Sequence, residues 1–216
     1  MANHRVAGHL VPDALSGHVA LEIANTRAGW GGSSPREYLV SFDALAVWAG
    51  DVGLLSSYET RRLRALGSDS PRAAQEVLEE TSALRESWYA VATAPTDGRP
   101  FAPADLEVIG AAVVRATQVS RLVPREESRV LPDGGGVRSA GLWLPLNRVA
   151  LAASDLLASG DVVHVGRCGG RGCGWLFLDP AHRRRWCVMA ICGNRAKARA
   201  FAERRRAERR GSTLTR

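Results

Sequence analysis

The residues best suited to chemistry are the four cysteines, which lie close together near the C-terminal end of the chain. They form two pairs, Cys168 with Cys173 and Cys187 with Cys192, and each pair encloses four residues. Thirteen residues separate the two pairs. Two short thiolate pairs at this separation favour a tetrahedral Zn²⁺ site, because each pair can direct both sulfurs to one ion about 2.3 Å away. Four thiolates leave no position for water or substrate, so the predicted zinc is structural.

Two other uses of these cysteines stay open, an iron–sulfur cluster and a pair of disulfides. Cysteine ligation alone does not exclude a cluster. Disulfides are less favoured, since the first residues lack an apolar signal region and four cysteines in 216 residues are not a disulfide-rich scaffold. His182, between the pairs, could replace a thiolate, but with four cysteines present a loop histidine is the simpler interpretation. We therefore expect a reduced, cytoplasmic zinc protein.

The sequence around the second pair resembles a known zinc finger. Cys192-Gly193-Asn194-Arg195 follows Trp186-Cys187 and the run Trp175-Leu176-Phe177-Leu178-Asp179. These motifs resemble the CGNR zinc finger, which lies at the C-terminus of a group of predicted bacterial transcription regulators, over roughly Val162 to Arg210. The resemblance implies a finger that binds DNA.

Positive charge is concentrated in the same part of the chain. Residues 161–216 contain 14 Lys and Arg against 4 Asp and Glu, whereas residues 1–160 contain 15 against 18. The net charge of +7 therefore comes from the cysteine-containing segment alone. Such segregation is typical of a segment that binds a polyanion while the rest of the chain has another task. No apolar run reaches the roughly 18 residues that can span a bilayer, so no membrane segment is predicted.

Helical patterns dominate the rest of the chain. Helices are predicted after Gly17, after a capping Ser41, over 56–66, from a capping Ser70 to Pro95, over 104–122 and from Pro145 to about Ser159. A weak β-hairpin is predicted between residues 128–131 and 137–140. Residues 1–16 show no periodicity and are predicted to be flexible. We predict a mainly α fold, with a helical domain over 17–160 and a zinc finger domain over 161–216.

The start of the helical region also resembles a known domain. Ala20-Leu21-Glu22-Ile23-Ala24-Asn25-Thr26-Arg27 is followed by Leu45-Ala46-Val47-Trp48 and Gly53-Leu54. The pattern resembles the opening of the ABATE domain, a predicted sensor module that usually precedes a CGNR finger, over about Gly17 to Leu157.

The finger itself is predicted to resemble a treble clef, with a knuckle, a β-hairpin and a long basic helix. Glycines at 169, 170, 172 and 174 allow the backbone reversals of the first knuckle. Residues 175–178 are predicted to form one strand and 184–186 the returning strand. A helix-forming run follows Cys192, and its narrow apolar stripe of Ala198, Phe201 and Ala202 is predicted to dock on the finger or the bundle.

Arginines on this helix and on the hairpin are the candidate DNA contacts. Arg195, Arg199 and Arg206 fall on one helical face at i, i+4 and i+11, which suits a helix that lies in or along a DNA groove. The candidate DNA-binding residues are Arg183, Arg184, Arg185, Arg195, Lys197, Arg199, Arg204, Arg205 and Arg206. Asn194 is expected to cap the helix or orient a ligand cysteine.

A small-ligand site in the N-terminal domain is predicted around Asn25, Thr26 and Arg27, with Trp30 and Trp143 as apolar walls. The alternative is that Asn25 and Thr26 simply end the first helix and satisfy its last carbonyls.

Two function classes fit these observations. The first is a DNA-binding regulator of double-stranded DNA, whose N-terminal domain senses a small effector or mediates association, for example as a homodimer. The alternative is a zinc-stabilised module that binds RNA or a protein. An enzyme is disfavoured, because the chain has no Gly-x-Ser-x-Gly, phosphate loop or dinucleotide fingerprint and no histidine–carboxylate set that suggests acid–base chemistry.

Overall fold

The described part of the chain is mainly helical, with short two-stranded antiparallel sheets between the helices. The computed structural model describes residues 2–30, 32, 35–124 and 130–213, with side chains to residue 206. The helices are α1 (Val19–Asn25), α2 (Phe42–Asp51), α3 (Ser57–Asp69), α4 (Pro71–Thr93), α5 (Pro103–Gln118), α6 (Val137–Ala140), α7 (Leu144–Ala158) and α8 (Asn194–Thr213). The strands are β1 (Asn3–Val6), β2 (His9–Pro12), β3 (Arg27–Ala28), β4 (Arg36–Glu37), β5 (Leu122–Pro124), β6 (Val130–Pro132), β7 (Val165–Arg167) and β8 (Leu176–Leu178). Each strand pairs antiparallel with its neighbour in sequence, in the order β1–β2, β3–β4, β5–β6 and β7–β8. The prediction of a mainly α fold is confirmed.

The short helix α1 lies in the main core, and six of its seven residues, 20–25, are buried. It packs against α4 and α7, and also against β8 from the cysteine-containing segment. The indole N–H of the buried Trp88 donates to the Ala20 carbonyl over 2.6 Å. Because a seven-residue helix is too short to be stable alone, this packing is what holds α1.

The helix starts follow the expected capping chemistry in part. Ser41 accepts from the Ala44 N–H over 3.1 Å, so its predicted role as N-cap of α2 is confirmed. Ser56 and Glu59 form a reciprocal capping box at the start of α3. Ser70 precedes Pro71 at the start of α4 as predicted, but its side chain makes no capping hydrogen bond. The proline supplies the helix-compatible φ by itself.

The hairpin predicted between 128–131 and 137–140 is wrong. β6 pairs instead with β5, and residues 137–140 form α6. Residues 128 and 129 of that prediction lie outside the described residues. The turn chemistry explains the difference, since Asp133 Oδ1 accepts from the N–H groups of Arg121 and Gly135 and directs β6 back towards the end of α5.

Residues 1–16 also differ from the prediction of a flexible lead-in, because they contain the β1–β2 hairpin. Ala7 and Gly8 both have positive φ, 46° and 87°, as a tight two-residue hairpin turn requires. Val11 is buried in the main core. The two strands have four residues each, and Val11 is their buried residue in the main core. Such short strands show too little alternation of apolar and polar residues to be predicted from the sequence.

Candidate metal centre and basic surface

The first cysteine pair lies in a glycine-rich knuckle between β7 and β8. The Cys168 N–H donates to the Trp175 carbonyl over 2.8 Å, and the Cys173 N–H donates to the Gly170 carbonyl over 2.9 Å. These bonds fold the loop so that both sulfurs face inward. A Cβ at Gly170 would lie 3.1 Å from the Cys192 sulfur, so glycine is what allows the backbone to approach the cluster so closely.

The second pair lies in a tight turn directly before α8. The Cys192 N–H donates to the Val188 carbonyl over 2.9 Å. The Asn194 side-chain amide donates to the Ala190 carbonyl over 3.0 Å, a structural contact that differs from the helix cap or cysteine contact expected for it. A Cβ at Gly193 would collide with the Met189 sulfur. The turn therefore delivers Cys192 to the cluster and starts α8 two residues later.

The four sulfurs form one buried cluster. All lie within 4.8 Å of one another, with 3.7 Å between the Cys173 and Cys187 sulfurs and 3.6 Å between those of Cys187 and Cys192. None of the four is in a disulfide. A tetrahedral zinc with bonds of about 2.3 Å requires sulfurs about 3.8 Å apart. The geometry therefore fits a zinc ion with Cys168, Cys173, Cys187 and Cys192 as ligands.

The electrostatics of the cluster also suit a cation. A hydrogen bond from Cys173, with a second from Cys187, lowers the pKa of the Cys168 thiol to about 2. The interaction with Cys168 raises the pKa of Cys173 to about 12, and the interactions with Cys168 and Cys173 raise the pKa of Cys187. One thiolate thus forms easily and opposes further negative charge beside it. A divalent ion offsets that repulsion and permits all four thiolates.

Aromatic side chains enclose the cluster. Trp175 and Phe177 are buried and pack with Tyr38 and the four cysteines. The strand predicted over 175–178 is confirmed in part as β8, but the returning strand predicted over 184–186 is wrong, because β8 pairs with β7. Among the described residues, a single main-chain bond links the expected strand to the knuckle, from the Gly169 N–H to the Arg185 carbonyl over 3.1 Å.

The finger is joined to the helical domain through the end of α1. The Leu176 N–H donates to Asn25 Oδ1 over 2.8 Å, and Asn25 Nδ2 donates to the Leu176 carbonyl over 3.0 Å. The Trp175 indole donates to the Arg27 carbonyl over 3.1 Å, and the Gly29 N–H donates to the Cys173 carbonyl over 3.1 Å. Segment 25–29 therefore fastens the knuckle and β8 to the bundle.

Thr26 and Arg27, the next residues of the predicted ligand site, also make contacts within the protein. The Thr26 hydroxyl donates to the Ile23 carbonyl and accepts from Arg85, whose guanidinium pairs with Glu37. Arg27 pairs with Glu86 and lies over the Trp30 ring, 4.7 Å from its centroid. The Thr26 contact favours the alternative that this residue satisfies a carbonyl at the end of α1, whereas the Asn25 side chain bonds to β8 instead.

The two tryptophans of that prediction do not meet around one cavity. Trp30 stacks on Tyr89 with ring centroids 3.8 Å apart, beside a hollow of about 430 Å³ next to the knuckle. Trp143 lies before α7, under the Arg115 guanidinium at 4.2 Å.

A larger cleft of about 560 Å³ lies elsewhere in the helical domain. Its walls come from the start of α1, the α2–α3 connection, the β5–β6 hairpin and α7. Arg148 on one wall pairs with Glu59 over 2.7 Å and also donates to the Leu54 carbonyl. The sequence offered no sign of this cleft, because its lining residues are distant in the chain and follow no motif.

The basic surface is formed by the exposed helix α8 and the first knuckle. Described side chains at 201–206 are exposed, and Phe201 is 56% exposed, so the predicted docking of its apolar stripe is wrong. The first two turns of α8 do lie against the knuckle, where Arg171, Arg195 and Arg199 surround a shallow depression beside Cys173 and Cys192. Sequence reasoning missed Arg171, which stands alone among glycines, although its place inside a ligand knuckle is a usable signal.

The three arginines of the loop between β8 and Cys187, all exposed, differ in their contacts. Arg184 lies over the Phe177 ring at 4.3 Å and donates to the carbonyls of Cys187 and Leu15 over 2.9 and 3.2 Å. Arg184 therefore stabilises the turn that carries Cys187 and Cys192. Arg183 and Arg185 are exposed.

Two family models match the chain. Residues 17–160, two thirds of its length, match ABATE, described as a putative stress-induced transcription regulator, and residues 164–205 match the CGNR zinc finger. No curated protein matches the chain. Neither family is a family of enzymes. Together with the four clustered sulfurs, the finger match identifies the centre as one structural zinc site. Among the described residues, no helix combines the length and apolar character needed to cross a membrane.

Proposed function

Because the chain belongs to the ABATE family and carries a CGNR zinc finger, we propose that it is a transcription regulator that binds double-stranded DNA. In this proposal the finger and α8 contact the DNA, and the helical domain receives a small effector. The cysteines hold the structural zinc and fix where α8 begins.

One observation carries the proposal, namely the meeting of Arg171, Arg195 and Arg199 at the surface of the zinc centre. Arg171 comes from the first knuckle and the other two from α8, so the metal centre brings the two segments together. Three arginine residues that line one small depression bring positive charge from two segments together, and arginine is suited to hydrogen bonds with phosphate oxygens. We assign this cluster to the DNA backbone.

The exposure of α8 supports the same assignment. Arg204, Arg205 and Arg206 are exposed about one and a half to two turns beyond Arg199. Arg206 lies on the same helical face as Arg195 and Arg199, so a DNA groove along this face could meet all three. Lys197 and the loop residues Arg183 and Arg185 extend the positive surface, whereas Arg184, which is also exposed, donates to main-chain carbonyls of the protein itself.

RNA binding is the weaker candidate. Single-stranded RNA is usually recognised by exposed aromatic rings on which bases stack. Trp175 and Phe177 are buried at 0% and 1% exposure, and Trp186 is half-buried. These rings stabilise the finger, so among the described Trp and Phe side chains of the finger and α8 the exposed Phe201 alone is open to stacking.

For the effector we propose the 560 Å³ cleft in the helical domain. Its size and its mixture of apolar walls with His18, Asp133 and Arg148 are typical of small-molecule sites. Ala152→Trp would fill the cleft from α7. An effector found by thermal-shift screening should lose its shift in this variant if the assignment is correct, and should keep it if the ligand binds elsewhere.

The test of DNA binding compares two triple variants that remove the same charge. Arg171→Ala/Arg195→Ala/Arg199→Ala should weaken duplex binding and make the slope of log K against log salt less steep by about 2.7, at about 0.9 per phosphate contact. The control carries Arg61→Ala, Arg62→Ala and Arg72→Ala, which change exposed residues of α3 and α4. Equal effects of the two variants would reject the assigned surface.

Competition with structured RNA separates the two nucleic acids. The zinc-loaded chain is bound to labelled duplex DNA and challenged with unlabelled duplex or with an RNA hairpin of equal charge. Preferential displacement by the duplex supports the proposal, and preferential displacement by RNA contradicts it.

A further inference from the structure

Two histidines face each other on the surface of the finger, away from the cysteine cluster. His164 ends the single helical turn Asp161–His164 that precedes β7, and His182 lies in the loop between β8 and Cys187. His164 Nδ1 and His182 Nε2 are 3.3 Å apart. The DNA-binding proposal makes no use of this pair.

The distance between the two nitrogens is the one that a shared metal ion requires. An imidazole nitrogen binds Zn²⁺ at about 2.0–2.1 Å, so two such ligands of a tetrahedral ion lie about 3.3–3.4 Å apart. The rings are tilted by 57° with centroids 5.3 Å apart. They are not stacked face to face, and their facing nitrogens can approach one ion.

The main chain holds both histidines in position through one residue. The Asp179 N–H donates to the His164 carbonyl over 2.9 Å, and the His182 N–H donates to the Asp179 carbonyl over 3.0 Å. Asp179 is itself buried, and its Oδ2 accepts from the Arg184 N–H over 2.6 Å. His182 adopts a positive φ of 50°, which non-glycine residues rarely do. The pair is therefore placed by the fold and not by chance encounter of two long side chains.

The surroundings allow an ion to complete its shell. His182 is exposed and His164 is half-buried, so water can reach the space between them. Asp161 begins the tight turn that His164 ends, and residues three apart on such a turn lie on the same side. Its carboxylate accepts a hydrogen bond from the Ser159 hydroxyl over 3.2 Å, so Asp161 adds negative charge to this turn but is not assigned as a ligand.

We propose that His164 and His182 form a second metal site, which takes one divalent ion of the zinc, nickel and copper group. Imidazole nitrogens are suited to these ions. In the metal-free pair, one facing nitrogen carries the N–H that the other accepts. When the ion binds, that ring carries its proton on its other nitrogen, so both facing lone pairs are donated and no net proton is released. Water occupies the remaining positions.

The experiment is a calorimetric titration of Zn²⁺ into the full chain whose finger is already zinc-loaded. The wild type should bind one further equivalent. His164→Ala and His182→Asn should each weaken that binding at least tenfold. Asparagine is chosen at 182 because it tolerates positive φ while it removes the imidazole. His4→Gln is the matched control, since His4 is also exposed but lies between Asp13 and Asp51.

Metal analysis before the titration should show that every variant keeps the zinc of the four-sulfur cluster, because none of the substituted histidines belongs to that cluster. The proposal is overturned if the zinc-loaded wild type binds no further Zn²⁺, or if His164→Ala and His182→Asn bind it as tightly as the wild type. It is also overturned if His4→Gln weakens the binding equally. Since the readout needs no DNA, failure of the proposed DNA binding would leave this result unaffected.

Discussion

The side-chain amide of Asn25 exchanges two hydrogen bonds with the main chain of Leu176, 2.8 Å and 3.0 Å long, across 151 positions of sequence. Asn25 is the last residue of α1, and Leu176 is the first residue of β8. The amide pairs with both main-chain groups of Leu176, as a neighbouring strand would. The finger is thus attached to the helical domain by buried polar contacts as well as by apolar packing.

Asn25→Leu should destabilise the whole chain. The leucine would leave the buried N–H and carbonyl of Leu176 without partners, at a cost of about 1–3 kcal/mol for each group. Chemical denaturation of the zinc-loaded protein measures the change. Asn194→Ala is the control, because it removes one hydrogen bond from an exposed side chain. A cost for Asn25→Leu no greater than that of the control would show that the contact is unimportant.

Cys187→Ser should lower the melting temperature of the helical domain as well as unfold the finger. Val165 of β7 and Leu176 of β8 belong to the main core, so loss of the zinc site exposes part of that core. Chelation of zinc from the wild type should produce a similar shift, and added zinc should reverse it. Scanning calorimetry that shows an unchanged helical transition in the variant would mean that the finger folds independently.

Arg184→Ala and Arg183→Ala should separate stability from binding. Arg184 covers Phe177 and bonds to the Cys187 carbonyl, so its loss should destabilise the finger and weaken zinc retention under chelator. Arg183 is exposed, so its loss should reduce DNA affinity and leave zinc retention unchanged. Chelator competition and DNA titration of both variants provide the two measurements. The reverse pattern would contradict the assigned roles.

The attachment of the β1–β2 hairpin should weaken as the pH rises. Hydrogen bonds to Asp13 and Asp51 raise the pKa of His4 above 6.5, so the folded state favours its charged form. The charged His4 contributes fully to the stability of the folded hairpin below pH 6.5, and this contribution is lost as the pH rises through the raised pKa of His4. Amide exchange in β1, corrected for intrinsic rates, should become less protected over this range. His4→Gln should remove this pH dependence. If the pH dependence persists in His4→Gln, another titrating group causes it.

Local chemistry made much of the zinc site predictable. Cysteine spacing and glycines identify the ligands and the knuckle, because both are requirements of a short chain segment that must surround one ion. The partner of β8 was not predictable in this way. Residues 184–186 follow β8 in the chain and contain a tryptophan, which favoured them as its partner strand. The strand that pairs with β8 is β7, which precedes the first cysteine and has three residues, too few for a recognisable pattern.

In the N-terminal domain, too, local features were predictable from the sequence and long-range contacts were not. Its helices follow from apolar spacing and from caps such as Ser41. The role of Asn25 does not, because its partner is a main-chain group of Leu176, and no side chain in the sequence marks that position. The cleft and the three arginines around Cys173 and Cys192 likewise depend on which distant segments pack together.

The central claim is that a zinc centre built from four cysteines positions α8 for DNA. The most direct test measures duplex DNA binding by the full chain before zinc is removed, after its removal, and after its return, with zinc content determined at each step. The account predicts that one zinc per chain occupies the cysteine site, that its removal causes a strong loss of binding, and that its return restores binding. DNA affinity that stays unchanged when the cysteine site is metal-free would contradict it.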